Sequence, residues 1–419
     1  MRPSRPFLGL LAAGLLLGGE PRPLPAQETG PLLTLGDLYR QLDAASPQLS
    51  AARAGARAAT FRVAAARTLP DPQLQLGLMN RNLPGLGLQD PLGMNTIQVM
   101  QMIPLAGKLG LAGRGAEAQA DASHERAADL GWELRARAAM VFYDLYQTDQ
   151  SLEVALATQR LLQDIAKTAE NMYAVGQGRQ ADVLRAQVEL GRMTEDITRM
   201  RAMREVMAAR LNALLNRPAD SVVPMPVLPR YPGELPSRDS LERQALTNRP
   251  MIRAGEYDIR AAEASARLAR REIWPDLQVG VQYGQRPRVM GTDRMVSFML
   301  GFTLPIFAGR RQLAMRRETQ AMQLMATSDL ETMRADTRGR VGELFAELQR
   351  DRNLATLYRG TIIPQANATV TSALSAYRVG GVDFMTLLDD QMTVNRYRQD
   401  LFQLDADQGK ALAELEMLV

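Results

Sequence analysis

Apolar residues recur along this chain with two different periods, one helical and one strand-like. A helical beat runs from Leu35 to Thr68 and again from Asp239 to Ile273, each time followed by a proline, Pro70 or Pro275. Proline cannot donate to a helix and disfavours α geometry in the residue before it, so both stretches are expected to end as helices there. Strict alternation follows. Asp276-Leu277-Gln278-Val279-Gly280-Val281-Gln282-Tyr283 and Met295-Val296-Ser297-Phe298-Met299-Leu300-Gly301-Phe302-Thr303-Leu304 put apolar residues on one face and Gln, Gly, Ser or Thr on the other. The segments Gln73-Leu74-Gln75-Leu76-Gly77-Leu78 and Thr96-Ile97-Gln98-Val99-Met100-Gln101-Met102-Ile103 read the same way, the second less regularly. Strands are therefore expected at about 72–80, 96–104, 276–284 and 295–304, paired through Gly/Pro/Asn-rich loops at 80–95 and 284–294.

The helical beat then returns over very long runs: Lys108 to Met172, Arg179 to Asn216, Arg311 to Val379 and Asp383 to Leu418. Met193, Ile197, Met200, Met207, Leu211 and Leu214 keep a heptad-like spacing that Arg204 interrupts, and Leu134, Ala138, Val141, Leu145, Thr148 and Leu152 keep another. Such seams pack as coiled coils, with small residues allowing close approach. A helix of about 65 residues reaches on the order of 100 Å, a length that serves to span distance rather than to fill a globule. Pro364 predicts a kink or break in the third run.

The order of elements occurs twice. Pro47 and Pro250 are 203 residues apart, Pro70 and Pro275 205, Pro104 and Pro305 201, and Gly176 and Gly380 204. Four marks in one order at nearly constant offset indicate a tandem duplication. The expected organisation is a leader at 1–26, a first repeat at 27–216, a Pro-rich linker at 217–238 and a second repeat at 239–419. The leader reading rests on the basic Met1-Arg2-Pro3-Ser4-Arg5, an apolar run from Phe7 to Gly19 too short to span a bilayer, and the small Ala26 before Gln27.

Composition narrows the chemistry. The 419 residues include no Cys and one His, which removes disulfides, thiolate metal sites and multi-histidine centres. Fifty basic against 46 acidic residues give a net charge of +4, too balanced for a nucleic-acid binder. No catalytic constellation, metal site or cofactor is expected, and the lone His124 reads as a surface residue of a polar helix. Most of the 23 Met fall on helical seams as flexible filler, Met295 and Met299 on the polar strand face being the exceptions.

Strands of this length and alternation fit a soluble half-buried sheet as well as a membrane barrel. Export without a membrane-spanning helix favours the barrel, since only strands could then enter a bilayer. Bacterial barrels begin at about 8 strands, so four per chain require several chains; two would give about 8 and a filled interior, three about 12 and a lumen.

The duplicated helix–strand–strand–helix unit, the turns Pro104-Leu105-Ala106-Gly107-Lys108 and Pro305-Ile306-Phe307-Ala308-Gly309-Arg310, and the paired Tyr173-Ala174-Val175-Gly176 and Tyr377-Arg378-Val379-Gly380 turns together resemble the TolC-like outer-membrane efflux proteins. Gln98 to Lys108 is most similar to their CzcC-like heavy-metal branch. The resemblance implies a mainly α fold with a transmembrane β-barrel sector: a homotrimer in the outer-membrane lipid with a 12-stranded barrel and a periplasmic α-barrel of long coiled-coil helices. It implies a passive exit channel, not an enzyme, that takes its energy from a proton-driven inner-membrane transporter of the RND type through a periplasmic adaptor. Its cargo would be metal ions or small toxic compounds. A channel for type I protein secretion, or a soluble periplasmic coiled-coil scaffold, are the rival readings.

By the same resemblance the two turns dock the adaptor, through Tyr173, Val175 and Gly176 and through Tyr377, Val379 and Gly380, with Val and Tyr exposed as apolar knobs. Asp389 matches a carboxylate ring of the pore gate, Asp390 adjoins it, and Thr386 stands where a further ring residue is usual. Asp182 matches a residue that holds the gate closed by bonding a tip tyrosine, here Tyr377. Carboxylates around a threefold axis repel one another and concentrate cations.

Overall fold

The computed structural model describes residues 32–79, 93–288 and 291–419; the expected leader and most of the 80–95 loop lie outside the described residues. The chain opens with α1 (Leu35–Ala45) and α2 (Pro47–Arg67), then β1 (Gln73–Met79), β2 (Met94–Ile103), α3 (Lys108–Ala174) and α4 (Gln180–Leu214). It continues with α5 (Arg238–Asn248), α6 (Pro250–Arg271), β3 (Leu277–Arg288), β4 (Gly291–Phe302), α7 (Arg311–Leu357), a π turn at Tyr358–Ile362, α8 (Ile363–Arg378) and α9 (Phe384–Leu418).

Two single helices expected before the strands are each two. Ser46 and Arg249 leave α geometry, as residues before proline do, and Pro47 and Pro250 take the first helical positions, where a missing N–H costs nothing. Ser46 also caps α2, its side chain accepting from the Leu49 amide. The expected break at Pro364 takes the form of the π turn just ahead of it: Pro364 has no N–H to return to Gly360, and the ladder widens there.

α3, at 67 residues, is the spine, about 100 Å long, with α2, α4, α6 and α9 packed along it. Its mid-section buries Leu134, Ala138, Phe142 and Leu145 against Leu38, Leu42 and Leu211. Arg204, which breaks the seam of α4, turns to Asp149 (Nε to Oδ1, 2.6 Å) and donates to the Val223 carbonyl. The proline-rich segment after α4 is thus fastened to the helices, and it also makes a parallel bridge with the residues just before α1 through Leu33 and Pro226.

The four strands form one antiparallel sheet in the order β1-β2-β3-β4. The expected 284–294 loop is largely strand, since β3 runs to Arg288 and β4 starts at Gly291, where a φ of 108° suits only glycine. In register, Leu74, Val99, Val281 and Phe298 form one rung of a mostly apolar face and Leu76, Ile97, Tyr283 and Val296 the next, while Gln101 joins Val279 and Leu300 on the rung at one side and Asn95, Gln285 and Arg294 lie at the hairpin end. That face is open: Phe298 is 81% exposed, Leu300 73% and Leu76 73%. The opposite face carries Gln75, Gln98, Gln282 and Ser297 on one rung and Gln73, Met100, Gly280 and Met299 on another. Met100 and Met299 both lie over Gly280, filling the space a side chain there would take.

Candidate functional site

At the far end of the spine, α3 turns into α4 and α8 into α9 through one and the same geometry. Gln177 donates to the Met172 carbonyl (2.8 Å) and Gly381 to that of Ala376 (2.9 Å), each closing a helix end over a left-handed glycine, Gly176 (φ 77°) or Gly380 (φ 76°). Val175 and Val379 are left pointing outward, 69% and 83% exposed. The tyrosines differ. Tyr173 is half exposed, but Tyr377, expected to stand out as a knob, is buried at 7% and packs edge-on against Phe384 with ring centroids 6.0 Å apart. Phe384 opens α9 and is itself buried, so it draws Tyr377 into the core that the two hairpins share with Ile165, Ala169, Leu387 and Leu388.

Asp182 sits half-buried in the first turn of α4, close enough to Tyr377 for its charge to act on the phenol. Burial pushes the Tyr377 phenol above its ordinary range and the Asp182 charge adds to that. Among the described residues no hydrogen bond joins the two, so the tie expected between them is electrostatic within one chain. Asp389 lies exposed on α9, outside the buried row of Leu387, Leu388 and Gln391, and Asp390 is half-buried beside it. Neither makes an ion pair among the described residues.

Two features of this end were not anticipated. Asp383 caps α9, accepting from the Thr386 amide (2.9 Å) and the Thr386 hydroxyl; these bonds, with the nearby charges of Arg179 and Arg185, hold its carboxyl below 3.8. The Asp-x-x-Thr spacing ahead of an apolar run is the signal that could have revealed it. Behind the tips, the Thr158 hydroxyl donates to Asn395 Oδ1 (2.8 Å) in the buried contact of α3 with α9, and Gln391 adds a longer bond to the same oxygen. Buried amides on one helix facing a hydroxyl on another leave no periodic mark in the sequence.

At the junction between helices and sheet, Lys108 is buried at 5%, its Nζ donating to the Trp274 carbonyl (2.9 Å) and Asp276 Oδ1 (2.8 Å), with Glu272 at 3.6 Å. It ties the exit of β2 to the entry of β3 across the two halves of the chain. His124 is exposed and meets Thr60 Oγ1 at 3.0 Å. Among the described residues no cluster of three or more His, Asp or Glu side chains could hold a metal ion, and no helix is long and apolar enough to cross a membrane.

The chain is similar to known proteins in sequence and in fold. The chain is 22% identical over 404 residues to the outer membrane efflux protein BepC of Brucella suis biovar 1 (strain 1330), covering 95% of this chain and 87% of that one. Its fold matches the outer-membrane channel OprN with a TM-score of 0.77 at 19% identity (92% of this chain, 89% of that one). It matches the outer membrane protein VceC of Vibrio cholerae with a TM-score of 0.77 at 16% identity (92% and 95%). The model of the outer membrane efflux proteins matches residues 38–217 and again 241–419, and the chain belongs to that family.

Proposed function

We propose that this protein is the outer-membrane exit duct of a tripartite efflux system. Three copies set their sheets edge to edge as one barrel, and their long helices continue it as a tunnel into the periplasm. The observation that carries this is the four-stranded sheet itself: one face is mostly apolar and exposed, the other carries Gln, Ser, Gly and Met, and among the described residues neither edge strand has a second partner. In a bilayer an open edge leaves backbone groups without partners, at several kcal/mol each, so the sheet has to be closed by further copies. Two sequence repeats, 27–216 and 239–419 joined by 217–238, then supply two similar sectors per chain.

The energy is not the duct's own. The turns around Gly176 and Gly380, with Val175, Val379 and Tyr173 outermost, are where a periplasmic adaptor docks, and an inner-membrane pump of the RND type drives cargo through it. Asp389, with Asp390 beside it and Asp182 near Tyr377, supplies the negative charge of the gate. The cargo class is metal ions or small toxic compounds. The duct reading is tested by fractionating cells that express the protein and running the outer-membrane fraction on gels with and without heating. A heat-sensitive oligomer in the outer membrane is expected; protein recovered wholly in the periplasmic extract would contradict the duct and favour a soluble scaffold.

A further inference from the structure

Among the described residues of one chain, the only place where the two halves meet through paired strands of the sheet is β2 against β3, and its register is fully defined, from Asn95 opposite Gln285 to Ile103 opposite Leu277. The same contact is clamped by Lys108, just after β2, on Asp276, just before β3. Because the element order repeats, β4 is the second strand of the second half as β2 is of the first, and β1 is the first strand of the first half as β3 is of the second. The free edges of the sheet are β4 and β1. Each is the same kind of strand as one member of the β2–β3 contact, and among the described residues each has one edge without a strand partner.

We propose that β4 of one protomer pairs with β1 of the next in the register copied from β2–β3, clamped by Arg310 on the partner's Asp71. This rests on the duct reading above and specifies its interface. The marks Pro104 and Pro305 carry β2 onto β4 with an offset of 201, and Pro275 and Pro70 carry β3 onto β1 with an offset of 205. Applied to the observed pairs, Gln101 with Val279 becomes Phe302 with Leu74, Val99 with Val281 becomes Leu300 with Leu76, and Ile97 with Tyr283 becomes Phe298 with Leu78.

Nothing in the transposition forces the faces to agree, yet they do. Phe302, Leu300 and Phe298 belong to the exposed apolar face and meet Leu74, Leu76 and Leu78 of that same face. The polar face agrees in side-chain size as well: Met299 meets Gly77 and Gly301 meets Gln75, a large side chain beside a glycine each time, as Met100 meets Gly280 inside the chain. A slip by one residue would turn every apolar residue to the wrong face.

The clamp transposes as well. The turn after β4 is one residue longer than the turn after β2, so on the shared Ala-Gly-Lys/Arg ending Lys108 corresponds to Arg310, 202 residues on; Asp276 corresponds to Asp71 and the Trp274 carbonyl to that of Leu69 at the offset of 205. Lys108 is buried on its carboxylate, whereas Arg310 and Asp71 are both exposed and neither has an ion-pair partner among the described residues of the protomer. One position departs: Glu272 corresponds to Arg67, which is engaged by Glu117 at 2.7 Å. The seam clamp thus has one carboxylate where the internal clamp has two, and the seam is the weaker of the two junctions. Leu304, Ile306 and Phe307, 70%, 81% and 72% exposed beside Arg310, are covered by the same contact.

The absence of Cys makes the register directly readable. Gln75→Cys combined with Gly301→Cys places two thiols opposite each other across the seam, and mild oxidation of outer-membrane vesicles should link chains into covalent dimers and trimers on reducing-agent-free gels. The control pair Gly77→Cys with Gly301→Cys is displaced by two residues, beyond disulfide reach, and should link roughly tenfold less. In a second arm, Asp71→Arg and Arg310→Asp should each lower the temperature at which the unheated oligomer dissociates in detergent, and the double exchange should restore it. An outer-membrane oligomer that links equally in both cysteine pairs, or better in the control, overturns the register; a double exchange no better than either single change overturns the clamp. Recovery of the unmodified protein in the periplasmic extract overturns the duct reading and the seam with it.

Discussion

Asp383 shows how much a single side chain carries at the tips. Its carboxylate satisfies the Thr386 amide at the start of α9, and its lowered pKa means that the charged form is bound more tightly in the folded state than in the unfolded chain. That stability is present above the unfolded value, 3.8, and is lost as pH falls through the lower folded value. Protection of the Thr386 amide from hydrogen exchange, corrected for the intrinsic rate, should therefore decline on acidification below that range. Asp383→Asn keeps an equivalent cap without a titrating group and should flatten the dependence. A wild-type profile as flat as that of the variant would show that the cap carries no such linkage. Tyr377 teaches the complementary lesson: its place in a repeated Tyr-x-Val-Gly turn suggested exposure, and only the ring of Phe384, seven residues on, decides that it is buried.

At the scale of elements, periodicity went far because both kinds of element have one-sided surfaces. The long helices and the four strands lie close to where alternation and heptad spacing place them, and the seam residues Leu134, Leu145, Ile197 and Leu211 are buried as that spacing requires. What periodicity missed follows from chemistry that overrides it locally. The breaks at Pro47 and Pro250 interrupt a continuous apolar beat through backbone geometry alone, and β3 and β4 extend through Gln285, Arg286 and Asp293 because cross-strand pairing, not hydrophobicity, holds a hairpin together. Close helix contact leaves an equally faint trace. A Cβ on Gly409 of α9 would lie 2.2 Å from the Tyr143 ring of α3, so this crossing tolerates nothing larger. Gly409→Ala should lower the free energy of unfolding by about 1–3 kcal/mol. Denaturant titration of the detergent-solubilised protein measures it, and an unchanged midpoint would show that the helices part without cost.

For the whole molecule, the protomer is unfinished as far as the described residues go: a mostly apolar sheet face left exposed, two sheet edges without a further strand and exposed carboxylates at the opposite end of a spine about 100 Å long. The strand count in the sequence points to several chains, whereas a gate is not legible in one chain, where Asp389 is simply an exposed acid and a ring of charge would arise only on assembly. If Asp389 lines the narrow end of the tunnel, Asp389→Ala should weaken block of bilayer conductance by multivalent cations on the order of tenfold, since the field of three carboxylates is lost together. Unchanged block would place the constriction elsewhere. The claim on which all of this depends is that three copies enclose one continuous passage. Electron microscopy of the particle extracted from outer membranes tests it most directly: the account predicts a threefold particle with a single barrel at one end leading into a hollow helical stalk, and a particle without threefold symmetry, or one with a solid stalk and no barrel, would contradict it.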